Sequence, residues 1–331
     1  MRDTPRDPDA FLGRGQTFRP NGDGHHEGYD LADLRLAIFP PLAHIAGEII
    51  VEGLTLLAAR PKVGKTWMAL EIAIAVATGG NCLGELQCEQ GEVLFLALED
   101  NRRRMQRRTT KLLGAHKAEW PHIATYHKWP RADQGGADAL RKWMLDYPAT
   151  RLIVVDVLAR FRKPSPPGKQ SYELDYEAVA QMQSIAAENA GLAIIVVHHL
   201  RKSEAGDDVL DTVSGTLGTN AAADAIVILH KTAQGMSLYG RSRDVDEIDK
   251  AVEFDRETCR WRVLGERDEV QRSEDQQAIL YLLRKEGELR LHDIAKALDR
   301  SESTVHRQLG KLLGAGTVIQ PKYGRYAPAT P

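Results

Sequence analysis

Short apolar runs rich in β-branched residues recur along the central part of the chain, and polar stretches of helical length separate them. The runs are LTLLAA, EVLFLAL, RLIVVDV, LAIIVVHH and AIVILH. Strands that alternate with helices are typical of a parallel sheet covered by helices. The pattern therefore predicts an α/β fold with a mostly parallel twisted sheet over residues 31–265.

The two ends of the chain show different patterns. Residues 1–30 mix Pro, Gly, Asp and Arg with almost no apolar periodicity, which is typical of a flexible tail. Residues 266–274 are strongly charged, and we interpret them as a linker. Residues 275–331 then show three helical stretches and a β-rich end, which predicts a small winged helix-turn-helix domain.

Composition narrows the possible classes of protein. A formal net charge of −2 excludes a uniformly basic nucleic-acid binder but permits local basic patches. The three cysteines, Cys82, Cys88 and Cys259, show no CxxC spacing, which argues against a disulfide framework or a zinc site. We find no apolar run long enough to cross a membrane and no signal peptide, so we expect a cytoplasmic protein.

A phosphate-binding loop is the clearest motif. The segment AARPKVGKT, residues 58–66, follows one predicted strand and precedes the helical run WMALEIAIAVAT. This strand, loop and helix context is what a P-loop requires, although Ala59 replaces the usual first glycine. The Lys65 ammonium would neutralise the β- and γ-phosphates of ATP, and the Thr66 hydroxyl would bind Mg²⁺. The candidate nucleotide-binding residues of the loop are Arg60, Pro61, Lys62, Val63, Gly64, Lys65, Thr66 and Trp67.

Two further strands end in carboxylates. Asp156 ends RLIVVD, where an acidic side chain beside a P-loop would help to hold Mg²⁺. Val157 follows it, so the Asp-Glu pair of many P-loop ATPases is absent and the water-activating base must lie elsewhere. Glu99 ends the strand EVLFLALE and is the candidate base. Asp100 is the competing candidate, with helix capping as its alternative role.

The order of RPKVGKT, ALED, IVVD, VVHHLRK, SGTLG and GRSRD resembles that of RecA-fold replicative helicases, and most closely the RepA-like hexameric helicases of plasmids and their phage relatives. The resemblance covers roughly residues 40–250. It implies a RecA-like core that uses ATP and Mg²⁺ and assembles as a homo-oligomer, expected to be a hexamer. It also places the catalytic glutamate at Glu99.

Three more residues gain roles from this resemblance. His199 matches the polar sensor of the γ-phosphate, with an ordinary strand-end histidine as the alternative for both His198 and His199. Arg243, or secondarily Arg241, matches the arginine finger that ring-forming members supply to a neighbouring subunit. A solvated pair of arginines is the alternative for these two positions.

The resemblance also implies loops that contact single-stranded DNA inside the ring. They would follow the strands that end at Asp156 and His199, and their cations are Arg160, Lys163, Arg201 and Lys202. Separately, the segment EDNRRRMQRRTTK, residues 99–111, carries five arginines and one lysine on a predicted helix. That basic stripe would face either DNA or solvent.

In the winged helix-turn-helix, Ser301 would cap the third helix, which enters the major groove of DNA in proteins with this motif. An alternative use of such domains is docking to another protein. The candidate contacts with duplex DNA are Ser303, Thr304, His306 and Arg307 on the helix, and Lys322 and Arg325 on the wing.

The resemblance, together with the winged helix-turn-helix, implies an ATP-dependent DNA helicase or DNA-translocating motor of the RepA-like hexameric type that serves replication of a phage, plasmid or mobile element, with a primase or initiator protein as a further partner. A second hypothesis is an ATP-dependent DNA-binding switch that hydrolyses ATP without unwinding DNA. A P-loop kinase for a small molecule is a third, disfavoured because the sequence shows no lid segment and a kinase would not need the winged helix.

Overall fold

The computed structural model describes residues 31–114, 119–165, 172–200, 222–232 and 235–329. The chain divides into two units, Met1–Ala43 and His44–Pro331. In the first unit the described residues include one helical turn, α1 (Leu31–Leu34). The predicted tail, residues 1–30, lies outside the described residues.

The second unit contains the remaining helices and strands of the described ranges. Its strands are β1 (His44–Ala46), β2 (Ile50–Val51), β3 (Gly53–Ala59), β4 (Asn81–Cys82), β5 (Leu86–Gln87), β6 (Glu92–Ala97), β7 (Ala124–Tyr126), β8 (Thr150–Asp156), β9 (Ala193–His199), β10 (Ala225–Thr232), β11 (Gly235–Ser242), β12 (Ile248–Phe254), β13 (Trp261–Glu266), β14 (Leu289–Arg290), β15 (Val318–Lys322) and β16 (Arg325–Pro328). Its α-helices are α2 (Lys65–Thr78), α3 (Arg102–Leu113), α4 (Gly136–Asp146), α5 (Leu158–Phe161), α6 (Tyr172–Glu188), α7 (Arg267–Glu286), α8 (Leu291–Ala297) and α9 (Glu302–Gly314).

The main sheet runs in the order β13-β12-β11-β10-β3-β9-β8-β6-β7. The six strands from β10 to β7 in this order are parallel, whereas β10 to β13 pair antiparallel as a meander. The predicted α/β fold with a mostly parallel sheet is confirmed. The carboxyl ends of β3, β9, β8 and β6 meet at one edge, where Ala59 pairs with His199 and Ala97 pairs with Asp156.

Both faces of the parallel strands are covered by helices, which explains why their sequences are continuously apolar rather than alternating. On one face, alternate residues such as Leu56, Ile153 and Ile194 pack with side chains of α4, α5 and α6 in a single buried cluster. Helix α2 contributes nothing to that cluster and packs on the sheet at β6, β8 and β9. Successive side chains of a strand point to opposite faces, so α2 covers the other face.

The C-terminal part is a three-helix unit with a small sheet of order β14-β16-β15. Ile279, Leu283, Ile294, Val305 and Leu309 form its buried core, and side chains of the wing strands β15 and β16 complete it. The predicted small winged-helix domain is thereby confirmed.

The charged segment interpreted as a linker, residues 266–274, is helical from Arg267 onward. Helix α7 starts directly after β13 and continues without a break to Glu286. Its first turn carries Asp268 and Glu269, and acidic side chains there stabilise a helix through its dipole. The charges that suggested a flexible connection therefore suit the start of this helix. None of the described helices combines the length and the apolar character that crossing a bilayer requires.

Candidate active site

The loop between β3 and α2 has the backbone shape of an anion cradle. Lys62 and Gly64 adopt left-handed conformations, with φ of 67° and 113°. Such residues help to form nests of backbone N–H groups that bind anions, and the loop ends at the N-terminus of α2, where the helix dipole adds a positive potential. Ala59 is the last residue of the extended strand β3, so this position does not need glycine.

Lys65 lies at the first turn of α2, and its side chain is buried. In the free protein its ammonium donates hydrogen bonds to the carbonyl oxygens of Ala59 at 2.7 Å and Arg60 at 3.0 Å. Burial lowers the pKa of Lys65 to about 8, against the opposing effect of the carboxylates of Asp156 and Glu99. The carbonyls thus hold a poorly solvated cation beside the loop, where it is available to phosphate oxygens.

Asp156 ends β8 and is 3% exposed. Its Oδ1 is buried without a hydrogen-bond partner, while the carboxylate accepts a hydrogen bond from the Thr66 side chain. Burial raises the pKa of Asp156 to about 6, and the charges of Asp100 and Glu99 act in the same direction. A buried unpartnered carboxylate oxygen beside a hydroxyl is a ligand set that suits a hard cation. Thr66 and Asp156 therefore fit Mg²⁺.

The structure separates the roles of the two adjacent acids. Asp100 is almost fully buried and pairs with Arg104 Nη1 and Arg108 Nε, both at 2.8 Å. The cap of α3 is Asn101, whose side chain accepts a hydrogen bond from the Arg104 N–H. Glu99 keeps a 42% exposed side chain. Asp100 is therefore committed to holding α3, and Glu99 is the carboxylate that water reaches.

His199 lies at the end of β9 in register with Ala59. Its Nε2 is 3.5 Å from Glu99 Oε2, and its Nδ1 is buried without a hydrogen-bond partner. The fold thus brings His199 and Glu99 to the edge of the sheet that also carries Lys65 and Asp156. His198 has an interaction of its own and does not share this position.

Arg241 and Arg243 lie elsewhere. Strand β11 is antiparallel to β10, so its end at Ser242 pairs with the start of β10, which in turn pairs with the start of β3. Both arginines are exposed at the sheet edge opposite the P-loop, and Arg243 Nη1 is 3.7 Å from Asp224 Oδ1. The structure does not bring either arginine to the P-loop of its own chain.

Trp261 is a residue at this site that the sequence reasoning missed. The indole Nε1 donates a hydrogen bond to the Gly64 carbonyl at 3.3 Å, and the backbone N–H donates to Glu71 Oε2 at 2.9 Å. Glu71 is buried on α2, and burial raises its pKa. Trp261 thereby ties β13 to both the P-loop and α2. No motif signals this role, because the residues lie far apart in the chain.

A cavity of about 900 Å³ opens beside the P-loop, on the side of β10 to β13. Val63, Gly64 and Trp67 line it from the loop and α2, and Phe254 and Trp261 line it from the meander. The Arg108 guanidinium lies 4.8 Å from the centre of the Trp67 ring. Its wall is mostly apolar and partly aromatic, with charged side chains such as Lys231, Glu253 and Arg256 at other positions. A cavity of this size accepts small organic ligands.

The predicted DNA contacts of the winged-helix domain lie on its surface. Ser301 caps α9 by accepting a hydrogen bond from the Thr304 N–H, as expected. Ser303, His306 and Arg307 are exposed, and Thr304 is partly buried. On the wing, Lys322 is exposed, whereas Arg325 pairs with Glu288 at 3.2 Å.

Of the four cations expected in the ring loops, Arg160 and Lys163 are exposed. Arg201 and Lys202 lie outside the described residues.

Comparison with protein families identifies the core. Residues 27–205, more than half of the 331 residues, match the family model described as "AAA domain". The chain belongs to this AAA domain family. Residues 273–320 of this AAA domain protein match a second model, described as "Bacterial regulatory protein, arsR family". No curated protein matches the chain significantly.

Solved structures share the architecture of this AAA domain protein. The ATPase domain of G40P is 15% identical, with a TM-score of 0.51 over 64% of this chain and 85% of that one. A DnaB-like replicative helicase, described together with its interactions with primase, is 15% identical with a TM-score of 0.51. That likeness covers 65% of this chain but only 58% of the helicase chain. A KaiC-like protein of Pyrococcus horikoshii is 13% identical with a TM-score of 0.46. The first two likenesses confirm the predicted RecA-like P-loop core.

Proposed function

We propose that this AAA domain protein is an ATP-dependent DNA helicase or DNA-translocating motor of the RepA-like hexameric type, acting in replication of a phage, plasmid or mobile element. The observation that carries the proposal is the convergence of Lys65, Asp156, Glu99 and His199 at one sheet edge. Lys65 and Asp156 are buried, whereas Glu99 and His199 are half-exposed. Hydrolysis of a phosphoanhydride needs positive charge on the phosphates and a residue that orients the attacking water, and these side chains can supply both.

Binding of ATP follows from the P-loop. Backbone N–H groups of residues 60–66 and the Lys65 ammonium would hold the β- and γ-phosphates. The cavity lined by Trp67, Phe254 and Trp261 would take the nucleoside. Mg²⁺ held by Thr66 and Asp156 would supply positive charge to the phosphate oxygens.

Hydrolysis would depend on the half-exposed pair. The Glu99 carboxylate would orient the attacking water and accept its proton. His199 lies within reach of Glu99 and faces the same edge, so a hydrogen bond from its ring to the γ-phosphate would exist only before cleavage. Loss of that bond would report hydrolysis to the polypeptide that follows β9.

A ring assembly would complete the site. Arg243 lies at the sheet edge opposite the P-loop, so it can serve catalysis only in a neighbouring subunit, and the same holds for Arg241. A cationic side chain supplied from the next subunit would stabilise charge on the transferring phosphoryl group. In this arrangement every active site needs two chains, and a hexamer is the proposed form.

Mixing two inactive variants tests this trans arrangement. Lys65→Ala chains keep Arg243, and Arg243→Ala chains keep an intact P-loop. If the finger acts in trans, mixed assemblies regain ATP turnover wherever a Lys65→Ala chain supplies Arg243 to an Arg243→Ala neighbour. Mixtures that stay as inactive as either parent would contradict the assignment.

DNA is the proposed partner at two places. A single strand would pass through the ring near Arg160, Lys163, Arg201 and Lys202, and duplex DNA would bind the winged helix. For the duplex contact, the exposure of Ser303, His306, Arg307 and Lys322 supports the proposal. The pairing of Arg325 with Glu288 makes that arginine the weakest of the candidates. A primase or initiator protein is the proposed protein partner, since one DnaB-like structure of this fold is described with primase.

The decisive experiment measures ATP turnover, unwinding of a forked duplex and molecular mass in the presence of ATP, all with the full-length protein. Turnover stimulated by single-stranded DNA, together with unwinding by a ring, would support the motor. Lys65→Ala provides the inactive control. Turnover without unwinding in a ring or a monomer would contradict the helicase and favour the next candidate.

A DNA-binding switch is the second candidate, and helix α7 favours it. Arg267, Val270 and Glu274 at its start line the cavity beside the P-loop. Further along the same helix, Asp275 Oδ1 accepts a hydrogen bond from Arg300 Nε at 3.0 Å. Gln276 Nε2 donates a hydrogen bond to Gln308 Oε1 of α9 at 3.1 Å. One continuous helix therefore touches the proposed nucleoside site and the helix expected to read DNA.

This candidate makes a separate quantitative prediction. Binding free energies are reciprocally coupled, so a switch must bind duplex DNA with different affinity when a non-hydrolysable ATP analogue is bound. Selection of preferred sites from a random-sequence duplex pool, with and without the analogue, measures this. Equal selection and equal affinity in both states would exclude the switch.

A further inference from the structure

Helix α3 carries the sequence RRRMQRRTTKLL directly after Glu99, Asp100 and Asn101. Met105 and Leu112 are its buried residues and fix its inner face. Arg104 and Arg108 turn back toward Asp100, so these two arginines have structural partners. The other arginines of the helix need a separate explanation.

Arg102, Arg103 and Arg107 form what we term the basic face of α3. All three are exposed. Among the described residues, none of them shows an ion pair or a side-chain hydrogen bond with another residue. Lys111 lies beyond them on the same helix and donates to the Glu257 carbonyl at 2.8 Å. Like charges this close on a helix repel one another, so the free chain gains nothing from the cluster.

A shallow groove of about 710 Å³ runs over this face. Arg103 and Arg107 line it together with Arg104 and Lys111, whereas Arg102 lies outside it. The rest of the described lining is neutral and polar and contains no aromatic side chain: Asn101, Gln106 and Thr110. Arginine, lysine, amide and hydroxyl side chains are the groups that contact phosphate oxygens in complexes with DNA. Among these lining residues no aromatic ring is present to stack bases, so the phosphate backbone is the part of DNA that these cations would contact. Contacts with phosphates carry no sequence information.

We infer that the basic face of α3 binds the phosphate backbone of a single DNA strand through Arg102, Arg103 and Arg107, independently of base sequence. The inference rests on the proposed function only for its ligand, DNA, and does not require ATP turnover. Arg104 and Arg108 connect the same helix to Asp100, which is the residue directly after Glu99. The face is thus placed to couple DNA binding to hydrolysis.

The experiment measures how the dissociation constant for a fluorescent 30-nucleotide oligo(dT) depends on salt. Each phosphate contact with a single strand contributes about 0.7 to the slope of log K against log salt. Replacing Arg102, Arg103 and Arg107 together by Gln should therefore reduce the slope by about 2 and weaken binding at low salt at least about tenfold. The corresponding Arg→Lys triple variant should retain the slope, since phosphate contacts need only the charge.

A matched control removes three exposed positive charges elsewhere, with Lys128→Gln, Lys142→Gln and Arg262→Gln combined. Both triple variants change net charge equally. Lys142 and Arg262 form surface ion pairs with Asp146 and Glu253, so a melting curve of each variant first checks that its fold is intact. Equal slopes in the two variants would overturn the inference. An unchanged slope with an altered mass of the assembly would also overturn it and would show that the face contacts another copy of the chain.

The failure of this inference and that of the proposed motor are distinguishable. ATP turnover is measured on the same preparations. If oligo(dT) binding requires the basic face of α3 but the protein shows no ATP turnover, the inference is supported and the proposed motor is contradicted. If the triple Arg→Gln variant keeps ATP turnover, unwinding and the salt slope, the motor is supported and the inference is contradicted.

Discussion

The Glu99 carboxylate and the His199 imidazole lie 3.5 Å apart although strand β8 separates β6, which ends two residues before Glu99, from β9 in the sheet. The two side chains therefore approach each other at the end of β8, which carries the buried Asp156. Neither Glu99 nor His199 is fully buried. This relationship underlies the first prediction.

Replacing Glu99 by Gln should preserve ATP binding and reduce the rate of hydrolysis about 10²–10⁴-fold, because the amide cannot accept a proton from water. Nucleotide affinity by calorimetry and single-turnover hydrolysis measure the two effects separately. Asp100→Asn is the matched control. It should instead lower the melting temperature, since it weakens the ion pairs with Arg104 and Arg108. Unimpaired hydrolysis by Glu99→Gln would assign the base elsewhere.

Replacing Lys65 by Ala should weaken binding of ATP at least about tenfold and abolish turnover, since the P-loop loses the buried ammonium that we expect to contact the phosphates. The fold should persist, because the buried ammonium carries a desolvation cost that the variant removes. Circular dichroism and ATP titration check both parts. An unchanged ATP affinity would show that the loop does not bind phosphate.

Replacing Gly64 by Ala should destabilise the protein by about 1–3 kcal/mol and weaken nucleotide binding. Gly64 has φ of 113°, and an added Cβ would lie 2.9 Å from the Trp261 ring. Gly310 is the contrasting site, because it is exposed in the interior of α9 with no atom within 4 Å of an added Cβ. Gly310→Ala should stabilise the protein by about 0.5–1 kcal/mol.

Urea denaturation of both variants measures these changes. Similar stabilities for Gly64→Ala and Gly310→Ala would show that Trp261 and the left-handed turn do not constrain the P-loop.

Replacing Glu71 by Gln should change how stability depends on pH. Burial raises the pKa of Glu71 above the usual 4.5, so the folded protein holds this proton over a pH range in which the unfolded chain has released it. Protonation thus favours the folded state, and the stabilisation is lost as pH rises from about 4.5 through the folded pKa. The glutamine carbonyl still accepts the hydrogen bond from the Trp261 N–H but does not titrate.

Thermal unfolding of both proteins from pH 4 to pH 8 tests this expectation. The variant should become the relatively more stable protein as pH rises through that window. Parallel melting curves across the range would argue against a buried, titrating Glu71.

The sequence determined the class of fold and most of the local motifs. Continuous apolar runs between helical stretches specify buried parallel strands, because only a strand covered on both faces can avoid polar residues. The segment AARPKVGKT and the acidic residues that follow two apolar runs identify the proposed phosphate and Mg²⁺ ligands. Local sequence suffices for this, because the position of each ligand is set by the strand or turn that carries it. Likewise, the helix cap at Ser301 is a hydrogen bond from the N–H of Thr304, only three residues later, so local sequence predicts it.

Contacts between residues far apart in the sequence were decided only by the tertiary structure. It paired Asp100 with two arginines and left Glu99 exposed, a difference that two adjacent acidic positions in the sequence cannot reveal. It also placed Arg243 at the far edge of the sheet, because the direction of β11 follows from its antiparallel pairing.

Finally, the tertiary structure brings Trp261 against Gly64, which is 197 positions away in the chain. It also makes the predicted linker the first part of helix α7. Hydrophobic periodicity reports which face of an element is buried, whereas partners across the sheet are set by packing of the whole chain.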